Sequence, residues 1–165
     1  MRLFFQLLVF CVFLLPFGVN AQTIYKTEHS KTSIQVLMDK VKVGKNRKGT
    51  VKFTIIPNKD WYVYSIKEEN GMPITVESSN EELFTIGKLS ESPKPTVDYD
   101  EGFEVNVYKH FTPVTITVPI HFSKKANIKS VKNIRLLVGF QTPSIVSGVC
   151  ISDEQHIMIQ IIPSK

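Results

Sequence analysis

The chain carries two thiols, and one of them lies in a segment that could present it to another molecule. Cys150 stands in the stretch LLVGFQTPSIVSGVCIS, residues 136–152, whereas Cys11 lies in an apolar N-terminal run. A thiolate can attack a disulfide, but a second thiol is needed to resolve the mixed disulfide that forms. We therefore expect the thiol of Cys150, as a single cysteine, to be in one of two states. It is either an inert thiol buried as a small hydrophobe, or a nucleophile that stops at a mixed disulfide.

Other side chains that could do chemistry lack the necessary spacing. The histidines are scattered, with no pair at metal-ligand spacing; they are His29, His110, His121 and His156. We expect them to face solvent from strands, and we predict no metal and no cofactor. Adjacent acids such as Glu68 and Glu69 point to opposite faces of a strand, so they make poor acid–base pairs. The sequence contains no nucleophile elbow and no glycine-rich phosphate loop.

The N-terminal stretch MRLFFQLLVFCVFLLPFGVNA, residues 1–21, has the features of a secretory signal. Arg2 is a short basic region, an apolar run follows, and Val19-Asn20-Ala21 suits a signal peptidase. A retained membrane anchor is the alternative. Cleavage before Gln22 would leave residues 22–165 as one domain with a core at about 33–162. It would also leave no run near the roughly 20 apolar residues that a membrane span needs. We expect a periplasmic protein, with an extracellular one as the alternative.

Positive charge is concentrated in KVKVGKNRKGTVK, residues 40–52, in a chain of formal net charge +5. Such a cluster can meet phosphate or an anionic surface. A solvated hairpin is the simpler interpretation, and we favour it here. With no recognisable binding motif in an exported chain, nucleic acid is not expected as a partner.

Alternation of apolar and polar residues dominates the rest of the chain and predicts an all-β protein. In VTITVPIHF, residues 114–122, every second residue is apolar. Strands are predicted near 33–43, 49–57, 61–66, 73–79, 104–109, 113–122, 131–141 and 155–162. The sequence GKNRKG is expected to close the first hairpin, SESPKPTVDYDEG to form a loop, and Trp61 to be buried in a central strand. Many short strands in one domain favour an immunoglobulin-like β-sandwich, with a closed barrel as the alternative.

Three segments then carry a resemblance to a known family. They are NKDWYVYSIKEENGMPITVE, GKLSESPKPTVDYDEGFEVNVYKHFTPVTITVPI and VGFQT. In this order they resemble the N-terminal domain of the thiol:disulfide interchange protein DsbD, particularly in Bacteroidota-like sequences. The resemblance covers about residues 33–162. It implies an immunoglobulin-like periplasmic domain with two cysteines on a loop, shielded by an aromatic cap and exchanging electrons with a membrane domain and thioredoxin-fold partners.

This chain departs from the family pattern at the redox loop. Pro143 stands where the resemblance places the first cysteine, after Thr142, and Cys150 matches the second. Gly148 shapes the loop between them. The cap candidates in the matching region are Tyr99, Asp100, Glu101 and Phe103.

Two functions remain open at the level of sequence, and a third possibility, metal carriage, rests only on scattered histidine and methionine residues. The first is a protein-interaction module with a degenerate redox loop, which binds a thioredoxin-fold protein or a membrane redox component. The second is an active component, in which Cys150 alone performs thiol:disulfide interchange and glutathione-like or partner thiols resolve the intermediate. Because Asp153 and Glu154 follow Cys150, we expect a thiol pKa not below the usual value of about 8.5. This expectation favours the first function, which is not enzymatic.

Overall fold

The computed structural model describes residues 23–26, 30–37 and 40–164, and this part of the chain is built mainly from strands. In chain order they are β1 (Thr23–Tyr25), β2 (Thr32–Val36), β3 (Lys40–Val43), β4 (Lys48–Pro57), β5 (Val63–Tyr64), β6 (Thr75–Ser78), β7 (Phe84–Ile86), β8 (Ser90–Ser92), β9 (Thr96–Asp100), β10 (Val105–His110), β11 (Val114–Phe122), β12 (Asn133–Pro143) and β13 (Cys150–Pro163). A short 3-10 helix, Ile128–Ser130, lies between β11 and β12. The described residues include no helix long and apolar enough to cross a membrane. The predicted signal, residues 1–21, lies outside them.

Two sheets form the body of the protein. The first has the strand order β1-β2-β4-β11-β7, and β8 also pairs with β11. The second has the order β3-β13-β12-β6, in which β3 and β13 run parallel. A third, smaller sheet, β5-β10-β9, stands beside them. The predicted immunoglobulin-like β-sandwich is confirmed, since the strand orders of the described residues are those of open sheets and not of a closed barrel.

The core lies between the two larger sheets, where alternate side chains of both meet. Along β11 the buried residues are Val114, Ile116, Val118, Ile120 and Phe122, as the alternation predicted. The second sheet contributes an equivalent set, which includes Leu136, Val138, Phe140, Ile157 and Ile159. Each such side chain contributes about 1.5–3 kcal/mol of burial free energy. The sandwich therefore gives a rigid support for the loops at its ends.

One predicted strand is in fact two strands in different sheets. The residues predicted as a strand at 33–43 form β2, which pairs with β4, and β3, which pairs with β13. The turn after β3 therefore leads from the second sheet to the first, and the prediction that GKNRKG closes a hairpin is wrong. Alternation could not show this crossing, because Ile34 and Val36 before it and Val41 and Val43 after it all face the same core.

The predicted loop SESPKPTVDYDEG contains two strands, β8 and β9. Its residues are mostly polar, and the first four residues of β9 are exposed. A strand that buries neither face has no apolar alternation, so the sequence did not reveal it. β9 pairs with β10 to form a hairpin, residues 96–110, which we call the cap hairpin.

Trp61 was predicted to be mostly buried in a central strand. It is partly buried, but its placement in a central strand is wrong, because it forms an isolated bridge with Ser144 outside the sheets. The Lys31 ammonium lies 5.9 Å from the centre of its ring. Tyr64, at 1% exposure, is the large aromatic side chain that this stretch buries completely.

Candidate functional site

The hairpin of β12 and β13 presents Cys150 directly opposite Pro143. The next pair, Ser144 and Val149, is hydrogen-bonded, because the Ser144 N–H donates to the Val149 carbonyl at 2.9 Å. Antiparallel pairs alternate, so Pro143 and Cys150 form a non-hydrogen-bonded pair, the kind in which side chains approach most closely. Proline, which has no N–H, fits this position. The two side chains therefore share one face of the hairpin at the shortest spacing that a sheet offers.

The loop at the tip of this hairpin is held by local hydrogen bonds. The Ser144 hydroxyl accepts hydrogen bonds from the N–H groups of Val146, at 3.2 Å, and Ser147, at 3.1 Å. Gly148 has a φ of +67°, a left-handed conformation that glycine adopts without steric cost. This explains the glycine predicted to shape the loop, two residues before the cysteine.

Two tyrosines form an aromatic wall beside the hairpin. The rings of Tyr62 and Tyr64 meet edge to face, with 5.5 Å between their centres. The Phe103 ring lies 6.4 Å from Tyr64. Gly71 packs against Tyr64 so closely that a Cβ at position 71 would lie 2.5 Å from the ring. The sequence placed Tyr62 and Tyr64 on one face of a strand but gave no sign that this face adjoins the cysteine.

A single carboxylate ties the cap hairpin to this wall. Oδ1 of Asp100 accepts hydrogen bonds from the N–H groups of Gly102, at 3.1 Å, and Phe103, at 3.4 Å. Its Oδ2 lies 3.2 Å from Nζ of Lys109 and accepts the Tyr62 hydroxyl at 3.3 Å. Burial alone would raise the pKa of Asp100, but the bonds to Lys109 and to the N–H groups lower it. Asp100 is therefore negatively charged at neutral pH and fixes the turn that carries Phe103.

The β12–β13 hairpin, the aromatic wall of Tyr62 and Tyr64, and the cap hairpin line an open cavity of about 270 Å³, which we call the thiol pocket. Its lining residues are Tyr62, Tyr64, Asp100, Gly102, Phe103, Pro143, Ser144, Gly148 and Cys150. Five residues singled out in the sequence thus come together: Asp100, Phe103, Pro143, Gly148 and Cys150. The sequence did not single out Tyr62, Tyr64 or Ser144 for this site.

Three other predicted site residues lie outside the thiol pocket. Thr142 is buried, and its hydroxyl lies 3.1 Å from that of Thr32 in the first sheet. Tyr99 is 57% exposed on β9, and Glu101 is exposed in the turn of the cap hairpin. Their positions indicate a packing role for Thr142 and solvent exposure for the other two.

Cys150 is exposed, so it is not the buried small hydrophobe that one interpretation of the sequence suggested. Its Sγ lies 3.9 Å from the Gly148 carbonyl oxygen. The pKa of Cys150 is raised, first by partial desolvation in the pocket and second by the negative charge of Asp100. The acidic neighbour that acts on the thiol is thus Asp100, whereas the sequence had suggested Asp153 and Glu154. At neutral pH Cys150 is protonated and weakly nucleophilic.

A second polar cluster lies behind the cap hairpin and corrects the expectation for one histidine. His110 is buried rather than solvent-facing, and its Nε2 lies 3.0 Å from Oε2 of Glu91. Oε1 of Glu91 accepts the Ser65 hydroxyl at 2.6 Å, and Oε2 accepts the Ile66 N–H at 3.1 Å. Because the carboxylate separates the serine from the histidine, the cluster cannot activate the hydroxyl as a nucleophile. The cluster joins β10 and the residues directly after β5 to β8.

The remaining histidines are His29, His121 and His156. His121 and His156 are exposed, as expected, and His156 lies 4.0 Å from Glu154. His29 lies outside the described residues.

Comparisons with known proteins place this site in a family. No curated protein sequence matches the chain. Among solved structures, the DsbD N-terminal domain of Neisseria meningitidis in the reduced form matches with a TM-score of 0.49 and 21% identity, over 73% of this chain and 81% of that one. The N-terminal periplasmic domain of ScsB from Proteus mirabilis matches with a TM-score of 0.58 and 10% identity. That match covers 82% of this chain but about half, 49%, of the ScsB chain, and it shows a shared fold.

The sequence itself matches a family model over residues 35–160, most of the chain. The description of that family is "Thiol:disulfide interchange protein DsbD, N-terminal". These residues include β4 to β12, both tyrosines of the wall, the cap hairpin and Cys150. The chain therefore belongs to the DsbD N-terminal domain family.

Proposed function

We propose that this member of the family is an exported protein-interaction module whose redox loop is degenerate. The observation that carries the proposal is the pairing of Pro143 with Cys150. A cross-strand, non-hydrogen-bonded pair has Cα atoms about 4.5 Å apart, within the range that a disulfide can bridge. A disulfide partner for Cys150 would stand at position 143, and proline occupies it.

Without a second thiol, Cys150 can perform only the first step of thiol:disulfide exchange. Its thiolate can attack a partner disulfide, which forms an S–S bond between the two proteins and releases one partner thiolate. Resolution needs a second thiol to attack Cys150 and release the partner fully reduced. Pro143 offers no such group, so the mixed disulfide persists until an external thiol acts.

The rim of the thiol pocket supports a protein partner. Ile145, Val146 and Val149 at the hairpin tip are 57%, 79% and 52% exposed, and Phe103 across the pocket is 43% exposed. Exposed apolar groups this close together mark a protein-binding surface. We propose a thioredoxin-fold protein or a membrane redox component as the partner that covers them.

The decisive experiment restores the missing thiol. Pro143→Cys should form an intramolecular disulfide with Cys150, seen as the loss of both free thiols on mild oxidation. The reduced variant should then reduce one equivalent of an oxidised thioredoxin-fold protein and become oxidised itself, whereas the parent protein should stop at the mixed disulfide. The matched control is Pro143→Ser, which removes the ring without adding a thiol.

Binding is tested separately from exchange. Cys150→Ser should leave folding and capture of a thioredoxin-fold protein nearly unchanged, whereas Phe103→Ala should weaken capture. If Phe103→Ala captures the partner as well as the parent does, the rim is not the docking surface.

The alternative function is thiol:disulfide interchange by Cys150 alone, with a glutathione-like thiol as the resolving group. The exposure of Cys150 favours it, and the raised pKa of the thiol opposes it. Turnover by the parent protein in the presence of glutathione, lost in Cys150→Ser, would establish this alternative and reject the degenerate loop.

We propose the periplasm as the location, with cleavage of the signal before Gln22. The support is the N-terminal sequence together with the periplasmic ScsB domain that shares the fold. Intact-mass measurement of the periplasmic fraction should find a chain that begins at Gln22. A full-length species held in the membrane would contradict it.

A further inference from the structure

More than half of the basic residues of this protein lie in two short stretches that contain no acidic residue. Residues 40–52 and 123–135 together contain eleven of the 20 lysine and arginine residues and none of the 15 aspartate and glutamate residues. The remainder of the chain therefore has nine basic and fifteen acidic residues. The formal net charge of +5 hides a strongly basic part and an acidic one.

The fold brings the two basic stretches together at one end of the sandwich. His121 of β11 pairs with Lys48 of β4, so the start of β4 and the end of β11 are neighbours. The Arg47 guanidinium donates to the carbonyl oxygens of Ser123 and Ala126, which joins the turn after β3 to the loop after β11. We call this end, residues 40–52 and 123–135, the basic pole.

The lysines of the basic pole are available for binding. All of them are exposed: Lys40, Lys42, Lys45, Lys48, Lys52, Lys124, Lys125, Lys129 and Lys132. Within the described part of the chain, none of them forms an ion pair. An open cavity of about 270 Å³ lies between the two stretches, and Lys45, Arg47 and Lys129 line it. The pole thus offers many unneutralised charges and a recess between them.

The basic pole lies at the far end of the molecule from the thiol pocket. β13 begins at Cys150 and ends at Pro163, which pairs with Val43 at the pole. A strand of this length spans about 40 Å. The thiol end carries an acidic group instead, which includes Asp98, Asp100 and Glu101 of the cap hairpin. The charge separation therefore runs along the long axis of the strands, with Glu81 and Glu82, which share a cavity with Lys125, as acidic residues beside the pole.

We propose that the basic pole binds an anionic phospholipid surface and holds the domain upright on it, with the thiol pocket about 40 Å from the lipid. Lysines on several turns at one end of a sandwich can meet a flat surface together. Each lysine near an anionic membrane strengthens binding by about fivefold. The proposal goes beyond the proposed function and stands without it.

The composition of the pole argues against nucleic acid as the occupant. Binding of single strands relies on aromatic side chains on which bases stack. Among the described residues, the exposed large aromatic side chains are Tyr99, Phe103, Tyr108 and Phe111. They lie on the cap hairpin or directly after it, and none lies at the basic pole.

The test is co-sedimentation of the purified protein with lipid vesicles. We expect binding to phosphatidylcholine vesicles that contain phosphatidylglycerol, little binding to pure phosphatidylcholine, and a steep loss of binding as sodium chloride is added. A variant with Lys45→Glu, Lys48→Glu and Lys129→Glu should bind at least about tenfold more weakly. Lys124 and Lys125 are left unchanged, because Lys125 shares a cavity with Glu81 and Glu82.

The matched control reverses three exposed lysines outside the pole, Lys59→Glu, Lys67→Glu and Lys94→Glu, and so changes the net charge equally. It should keep the parent affinity within about twofold, which separates a local site from net charge. Equal loss in both variants would overturn the proposal, as would equal binding to neutral vesicles. Binding to duplex DNA without binding to vesicles would also overturn it. So would displacement from vesicles by millimolar inorganic phosphate, since this would indicate a site for a single phosphate.

Discussion

Exposure and reactivity are separate properties of Cys150. The thiol is open to solvent, yet its raised pKa keeps it protonated at neutral pH. Asp100 links the two properties, because the same carboxylate that fixes the turn of the cap hairpin places a negative charge near the sulfur. A residue that positions the cap therefore also restrains the thiol.

Asp100→Asn should release this restraint. The amide oxygen can still accept the N–H groups of Gly102 and Phe103, but the negative charge that raises the pKa of Cys150 is gone. A lower pKa leaves more thiolate at neutral pH, so alkylation by iodoacetamide should proceed about two- to fivefold faster. The pH dependence of the alkylation rate should move to lower pH.

Asp98→Asn is the control for this substitution. Asp98 is the other carboxylate near Lys109, at 3.5 Å, but it does not contribute to the shift at Cys150. Alkylation at the parent rate is expected. If both variants react equally fast, loosening of the cap hairpin, rather than charge, governs the thiol.

The cap hairpin is held to the sandwich by the buried Glu91, which receives hydrogen bonds from His110, Ser65 and the Ile66 N–H. Burial alone would raise the pKa of Glu91, but these bonds outweigh it and lower the pKa below its usual 4.5. A carboxyl group whose pKa is lower in the folded state stabilises the fold above its unfolded pKa. That stabilisation is lost as the pH falls below about 4.5 and through the folded pKa.

Glu91→Gln should therefore change both the stability and its pH dependence. The variant should melt at a lower temperature than the parent at pH 7, and the difference should shrink steadily below about pH 4.5. Glu69→Gln, at an exposed acid, should leave the melting temperature nearly unchanged both at pH 7 and below about pH 4.5. A constant difference between Glu91→Gln and the parent across this range would show that the charge of Glu91 does not stabilise the fold.

Strands with one apolar face were predictable from the sequence, and strands without one were not. Every second residue of β11 faces the core, and the prediction of residues 113–122 differs from the observed strand by one residue. β8 and β9 bury little apolar surface, so nothing in their composition distinguishes them from loops. The sequence also did not reveal that the chain crosses from one sheet to the other between β2 and β3, since both strands face the same core.

The site was predictable only in part, for a related reason. The resemblance to a family pointed to Pro143, Cys150 and Phe103, and the structure brings them together. The role of Tyr62 and Tyr64 depends on which element covers their face, and that element is a hairpin more than 30 residues further along the chain. Strand periodicity reports the direction of a side chain but not what lies opposite it.

At the scale of the whole molecule, the basic pole and the thiol pocket should behave independently. They lie about 40 Å apart, while the screening length at 0.1 M salt is about 10 Å. The Lys45→Glu, Lys48→Glu, Lys129→Glu variant should therefore keep the parent alkylation rate at Cys150, and Pro143→Cys should keep the parent affinity for vesicles. A protein that carries both the three lysine substitutions and Pro143→Cys should show each variant's own effect on vesicle binding and on thiol chemistry, without further change. A change of more than about twofold in either cross-measurement would indicate that the sandwich couples its ends.

The parallel pairing of β3 with β13 has a consequence for the order of folding. Val41 pairs with Ile161, so β3 must wait for almost the whole domain to emerge from the ribosome or from a translocation channel. Non-local pairings of this kind form late, because the entropy of closing a long loop opposes them. Until β13 arrives, β3 and β12 lack the strand that joins them, and the second sheet cannot be completed. A chain that emerges from a translocation channel N-terminus first would therefore complete its second sheet only after its last strand has followed.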